Sequence, residues 1–162
     1  NEYIQALCKT LDPSYRIVVE PGRSIVGDAG VLLTRVLYIK DTPSRTFAIA
    51  DASMTELIRP ALYQAVHPIV PVNVRDDLIE RKVDIVGPVC ETADFLGKDR
   101  SMRVAAGDLL AILDAGAYGA VMASSYNTRP KPAEVLVDGD EFHLIKERDS
   151  IASLMANEHI PK

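Results

Sequence analysis

Val31-Leu32-Leu33-Thr34-Arg35-Val36-Leu37-Tyr38-Ile39-Lys40 is followed at once by Asp41-Thr42-Pro43-Ser44 and a second run, Arg45 to Asp51. β-Branched and aromatic side chains suit a pleated, half-buried surface, and a cluster of Asp, Thr, Pro and Ser between two such runs reads as a turn. The stretch predicts a hairpin, and similar runs lie on either side of it. Arg16 to Glu20, His67 to Val74, Lys82 to Cys90 and Leu109 to Leu113 read as strands. Glu134 to Val137 and Glu141 to Ile145 form a second hairpin across Asp138-Gly139-Asp140.

Helical signals are shorter. Tyr3, Ile4, Leu7, Cys8 and Leu11 fall near helical spacing until Asp12-Pro13 stops them. Ser24 to Gly30 reads as a short helix or turn, and Thr55 to Tyr63 as a short helix that Pro60 breaks near Arg59. Ala120 to Tyr126 is helix-compatible and Ser150 to Glu158 reads as a closing helix. Asp99 to Ala106 reads as polar loop and Asn127 to Pro132 as a Pro-rich one. Strands in consecutive runs, not alternating with long helices, predict a mainly β, α+β fold: an antiparallel sandwich or barrel with small helices packed on it.

With 162 residues, 48% of them hydrophobic and 25% charged, the chain suits a soluble globular protein with a sizeable core. No apolar run is long enough to cross a bilayer as a helix, and no secretory leader pattern opens the chain. The expectation is a cytoplasmic protein. A net charge of −5 and scattered Lys and Arg speak against nucleic acid. Two cysteines and three histidines give neither a disulfide framework nor zinc-ligand spacing, so no metal site is expected. Asn1 in place of Met, inside an amphipathic pattern, reads as a fragment or a processed product.

Four segments carry chemistry. Glu20-Pro21-Gly22-Arg23 follows the apolar Ile17 to Val19; taken alone, it is a plain Pro-Gly turn. Gly22 frees backbone N–H groups to approach an anion with no Cβ in the way, and the planar Arg23 cation suits phosphate or carboxylate. Leu57-Ile58-Arg59-Pro60-Ala61-Leu62-Tyr63 places Arg59 and Tyr63 four residues apart, the spacing of one helix face. Gly87-Pro88-Val89-Cys90-Glu91 ends an apolar strand on a thiol and a carboxylate. Gly116-Ala117-Tyr118-Gly119 sets a phenol among small neighbours. The plain alternatives are a buried inert thiol at Cys90, a helix-capping Arg59 and a packing Tyr118. His67, before Pro68, reads as a structural histidine.

In this order the four segments resemble the alanine-racemase-like, fold type III decarboxylases that use pyridoxal phosphate, and within them the diaminopimelate decarboxylases. The resemblance covers almost the whole chain but only the C-terminal part of the family's sequence. It implies a C-terminal β domain over 31–162, with 1–30 left from the end of a (β/α)8 barrel. It implies that Glu20 faces the cofactor's pyridine nitrogen, that Pro21, Gly22, Arg23 and Tyr118 meet the cofactor, and that Arg23 and Tyr118 also meet the substrate. Arg59 and Tyr63 would hold the distal carboxylate of diaminopimelate. Cys90, delivered from the partner subunit of a homodimer, would protonate the carbon left by departing carbon dioxide. Glu91 would bind the distal amino group, where ornithine-type enzymes usually have Asp.

The chain also departs from the family. Where the family commonly reads Asp-Ala-Gly-Met-Asn-Asp, the chain has Asp51-Ala52-Ser53-Met54-Thr55-Glu56, so Ser53 and Thr55 replace Gly and Asn. Val66 stands where a Tyr often precedes the His. None of the seven lysines lies in a segment like the family's cofactor-anchoring motif, and a full barrel needs about 250 residues. The expectation is therefore the C-terminal part of a lysine-forming decarboxylase, inactive without its N-terminal barrel. The alternatives are a non-catalytic dimerisation or regulatory module, and a decarboxylase of ornithine or arginine type.

Overall fold

The apolar run after Gly30 forms β1 (Leu32–Asp41), hairpinned to β2 (Thr46–Ala50), in a computed structural model that describes residues 2–161. Thr42 tightens the turn, accepting the Arg45 N–H at 3.0 Å on its hydroxyl while donating to the Arg45 carbonyl at 2.8 Å. The other elements are α1 (Glu2–Thr10), α2 (Arg59–Tyr63), β3 (Ile69–Pro71), β4 (Arg81–Val86), β5 (Phe95–Met102), β6 (Leu109–Ile112), β7 (Glu134–Asp138), β8 (Glu141–Lys146) and α3 (Ile151–Leu154). Single 3-10 turns stand at Gly22–Ile25, Ala120–Met122 and Tyr126–Thr128.

Six strands make one sheet in the order β3-β6-β1-β2-β4-β5. β1 serves two neighbours: Leu32 to Arg35 pair with β6, and Val36 to Asp41 pair with β2 after a register shift around Leu37. Such a shift adds local twist and bends the strand. The sheet curls until its ends meet, where Arg100 of β5 donates to the His67 carbonyl beside β3 at 3.2 Å. Gly97 lets the two edges come close: a Cβ on it would come within 2.8 Å of Ile69 Cδ1, which would have to shift. The result is a nearly closed barrel. Its interior is filled by Val36, Ala48, Ala50, Val83, Ile85, Leu96, Leu110 and Ile112, with Leu57 joining from outside the sheet. Full burial of each larger aliphatic side chain contributes about 1.5–3 kcal/mol.

The mainly β fold matches the sequence reading but differs in detail. The strands read over 67–74 and 82–90 shorten to β3 and β4, so that Cys90 stands on a loop and not at a strand end. Four further points differ. First, the sheet is not wholly antiparallel, because β2 and β4 pair in parallel. Second, 16–20 is no strand but irregular, exposed chain. Its apolar residues have no neighbouring strand here with which to pair. Third, the polar stretch after Gly97 is strand: β5 runs to Met102, its register held by β4, and Asp99 takes a left-handed φ of 52° while its N–H reaches Asp84 Oδ1 at 2.7 Å. Fourth, α2 starts at Arg59, so Pro60 occupies the first turn, where its missing N–H costs nothing. The hairpin of β7 and β8 forms a separate two-stranded sheet whose Val137, Phe142 and Ile145 stay exposed.

Candidate active site

Two glycine-rich segments dock to build one wall of a cleft. The Gly116 N–H reaches the Gly27 carbonyl at 3.0 Å and the Ala115 N–H reaches the Gly30 carbonyl at 2.8 Å. Gly30 and Gly116 lie so close that a Cβ on Gly30 would strike the backbone of Gly116, and one on Gly116 would strike the Val26 carbonyl. This docking fixes the 3-10 turn Gly22–Ile25 relative to Tyr118, which adopts a left-handed φ of 60°. A Cβ on Gly22, itself at φ 56°, would lie 4.0 Å from the Tyr118 hydroxyl. The bare backbone of Gly22 and the phenol thus face a common space.

α2 supplies the other wall. The preceding turn is folded by Leu57 N–H to Ser53 carbonyl at 3.1 Å, and Leu62 N–H bonds the Ile58 carbonyl at 2.9 Å. Arg59 and Tyr63 stand one turn apart, and the Arg59 guanidinium lies 5.9 Å from the Tyr63 ring centre and 5.8 Å from that of Tyr118. Arg59 is 9% exposed, yet its Nε–H has no partner among the described residues. A guanidinium held between two aromatic rings with a spare donor has the chemistry to meet an anion. The cleft, about 810 Å³, is lined by Pro21, Arg23, Arg59, Tyr63, His67 and Asp114 among others. His67 is buried, its Nδ1 donating to the Leu113 carbonyl at 2.9 Å while its Nε2 has no partner among the described residues. Glu20 is exposed beside Pro21.

Cys90 and Glu91 stand elsewhere, on the loop between β4 and β5, and neither lines that cleft. Both are exposed. The Asn127 amide approaches the Cys90 sulfur at 3.8 Å, and Glu91 accepts the Thr92 N–H at 3.0 Å. Glu91 also borders a second hollow of about 420 Å³ with Tyr38, Lys40 and Phe47.

Residues with no sequence signal hold both regions in place. Glu56 accepts from the Ser53 N–H at 2.7 Å, and the Ser53 and Thr55 hydroxyls stand 2.9 and 2.8 Å from its carboxylate oxygens. Arg129 closes the cluster, donating to Thr55 Oγ1 at 3.1 Å and to the Asp51 carbonyl at 2.7 Å. Asp94 accepts the Met54 and Val89 N–H groups, and burial pushes its carboxyl above the usual carboxylate range. In the sequence these residues are indistinguishable from loop acids and bases.

A cradle of bare glycine backbone, two arginines and a phenol suits a phosphorylated ligand, and comparison with known proteins bears on which. Residues 10–116 match the family model described as pyridoxal-dependent decarboxylase, C-terminal sheet domain. The chain belongs to this family.

Among curated members, the diaminopimelate decarboxylase of Pseudomonas aeruginosa is 53% identical over 161 residues, 99% of this chain and 39% of that protein. That of Vibrio cholerae is 49% identical over 162 residues, again covering 39% of its length. The chain thus spans about 39% of the length of these relatives. Among solved structures, diaminopimelate decarboxylase from Helicobacter pylori complexed with L-lysine superposes with a TM-score of 0.85 at 39% identity, over 96% of this chain and 38% of that one. A viral arginine decarboxylase at 22% identity and a TM-score of 0.66 shares the fold. Dependence on pyridoxal phosphate follows from the family.

Proposed function

We propose that the chain is the C-terminal part of a decarboxylase that converts meso-2,6-diaminopimelate to L-lysine and carbon dioxide. The observation that carries the reading is Arg59, buried between Tyr63 and Tyr118 with its Nε–H unpartnered among the described residues. A second carboxylate distinguishes diaminopimelate from lysine or ornithine, and an enclosed guanidinium with a spare donor is the group that would select it. The relatives named above carry the same activity in their names, and three similar solved structures hold L-lysine.

The residues present fit pyridoxal phosphate. The Gly22 backbone, Arg23 and the Tyr118 hydroxyl would receive its phosphate, and Glu20 would keep its ring nitrogen protonated. When bound, the cofactor supplies the sink for the electrons left by departing carbon dioxide. Arg59 and Tyr63 orient the substrate by its distal carboxylate, leaving the α-carboxylate to depart. Glu91 takes the distal ammonium. Cys90 gives its thiol proton to the α-carbon of the product, as a positioned general acid. Because Cys90 and Glu91 lie outside the Arg59 cleft of their own chain, they serve the site of a second copy in a homodimer of the cytoplasm. Residues 1–30 are the end of a (β/α)8 barrel, which gives the exposed Ile17, Val18 and Val19 the neighbours they lack here. The lysine that anchors the cofactor belongs to the rest of that barrel.

The test is carbon dioxide release by the full-length protein with pyridoxal phosphate and, separately, meso-diaminopimelate, ornithine and arginine. Turnover of diaminopimelate alone is expected, with Cys90→Ala slowing it about 10²-fold. Preference for ornithine or arginine, or unchanged turnover in the Cys90 variant, would overturn the substrate or the proton donor respectively.

A further inference from the structure

Asp94 touches neither the cleft of Arg59 nor the thiol of Cys90, yet it joins the loops that carry them. It is 4% exposed. Its Oδ1 accepts the Met54 N–H at 2.7 Å and its Oδ2 accepts the Val89 N–H at 2.9 Å. Met54 lies in the turn that leads into Arg59, and Val89 directly precedes Cys90. The main chain of Asp94 adds two further ties to the second loop, accepting the Gly87 N–H at 3.2 Å and donating to the Glu91 carbonyl at 3.0 Å. Gly87 has no room for a side chain: a Cβ there would strike Asp94 Oδ2 and Ser53, so the two loops approach to backbone contact.

Both oxygens receive N–H donors, so the geometry serves the ionised carboxylate. That form is held at a cost. Desolvation raises the Asp94 carboxyl, Glu56 raises it further, and the two N–H bonds and Arg129 only partly oppose this. A carboxyl raised in the folded state contributes stability below its unfolded value of about 4 and loses it as pH rises through the folded one. At neutral pH Asp94 therefore works against stability through its charge while holding two loops through its oxygens.

We infer that Asp94 is a positioning residue, whose carboxylate fixes the loop of Cys90 and Glu91 against the turn that delivers Arg59. Its consequence for turnover rests on the proposed decarboxylase reading; the tie between the loops does not. In a dimer where Cys90 serves the partner's site, one carboxylate would set the geometry of a residue in each of the two active sites.

The experiment uses the full-length protein and two readouts independent of turnover. In the wild type, hydrogen exchange at the Met54 and Val89 amides is expected to be about 10²-fold slower than at the exposed Ala93 amide. Asp94→Asn keeps the size but turns an NH₂ toward one of the two N–H groups. It is expected to change the rate of Cys90 alkylation by iodoacetamide, read by mass spectrometry of the Cys90 peptide, roughly threefold or more across pH 7–9. Leu110→Ala, a core truncation that touches neither loop, is expected to leave that rate unchanged while lowering Tm. Met54 and Val89 amides exchanging as fast as Ala93 would overturn the inference, even if the variant failed to fold. So would equal effects of Asp94→Asn and Leu110→Ala on the thiol. Failure of the decarboxylase reading shows instead in the substrate assay of the wild type, which neither readout touches.

Discussion

Arg129 holds together the polar cluster of Ser53, Thr55 and Glu56 that precedes α2. Its Nε–H meets Thr55 Oγ1, and its terminal nitrogen meets the Asp51 carbonyl and, at 3.4 Å, Glu56 Oε1. Ser53 and Thr55, which depart from the residues common in the family, bring their hydroxyls within 2.6 Å of each other and within 2.9 and 2.8 Å of Glu56, so that one hydroxyl donates to the other and the second donates to the carboxylate. They form one network, so their effects should couple. Arg129→Met is expected to destabilise by about 2 kcal/mol in urea denaturation, because it strands a 9%-exposed Glu56 without its cation. Thr55→Ala in that background should cost less than in the wild type, and strict additivity would refute the network. At this scale the sequence showed residues with intrinsic chemistry, such as Arg59 between apolar neighbours. It could not show Arg129, which lies 73 positions from its partner Glu56 in a Pro-rich loop.

The element that decides the cleft is the segment from Gly22 to Gly30 docked on Ala115 and Gly116. Backbone meets backbone there, and small residues are required because there is no space, not because of unusual torsions at Gly30. Gly30→Ala is expected to cost about 1–3 kcal/mol by overpacking. In the full-length protein it should also weaken pyridoxal phosphate binding roughly tenfold, since it displaces Gly22 and Arg23 relative to Tyr118. Fluorescence titration with the cofactor checks this, and unaltered affinity would separate the docking from the cradle. The hairpin of β1 and β2 was legible from its own residues, as was that of β7 and β8 across Gly139, whose φ is 59°. β5 was not. Lys98, Asp99 and Arg100 have poor strand propensity, and they become strand only because β4 offers a ladder and Asp84 accepts the Asp99 N–H.

For the whole molecule, the curled sheet separates a tightly packed barrel from an N-terminal stretch, 2–25, in which no described residue is fully buried. Tyr3, Tyr15 and Val18 are 68%, 70% and 76% exposed, whereas Val36, Ile85, Leu96 and Leu110 are fully enclosed. Limited trypsin digestion of this 162-residue chain should cut first after Lys9 or Arg16 and last after Lys98 or Arg100. Early cleavage within β5 would contradict the barrel's closure. The sequence by itself determined the β character, the two hairpins and the order of the segments resembling the decarboxylases, because these depend on side-chain periodicity, turn chemistry and local motifs. Only the tertiary structure decided the parallel pairing of β2 with β4, the strand at β5 and the irregular course of 16–20. It alone also placed Arg59 between Tyr63 and Tyr118, set Cys90 apart from that cleft, and joined the two loops through Asp94. Those outcomes depend on which backbone groups find partners distant in the chain, and local sequence carries no record of that choice.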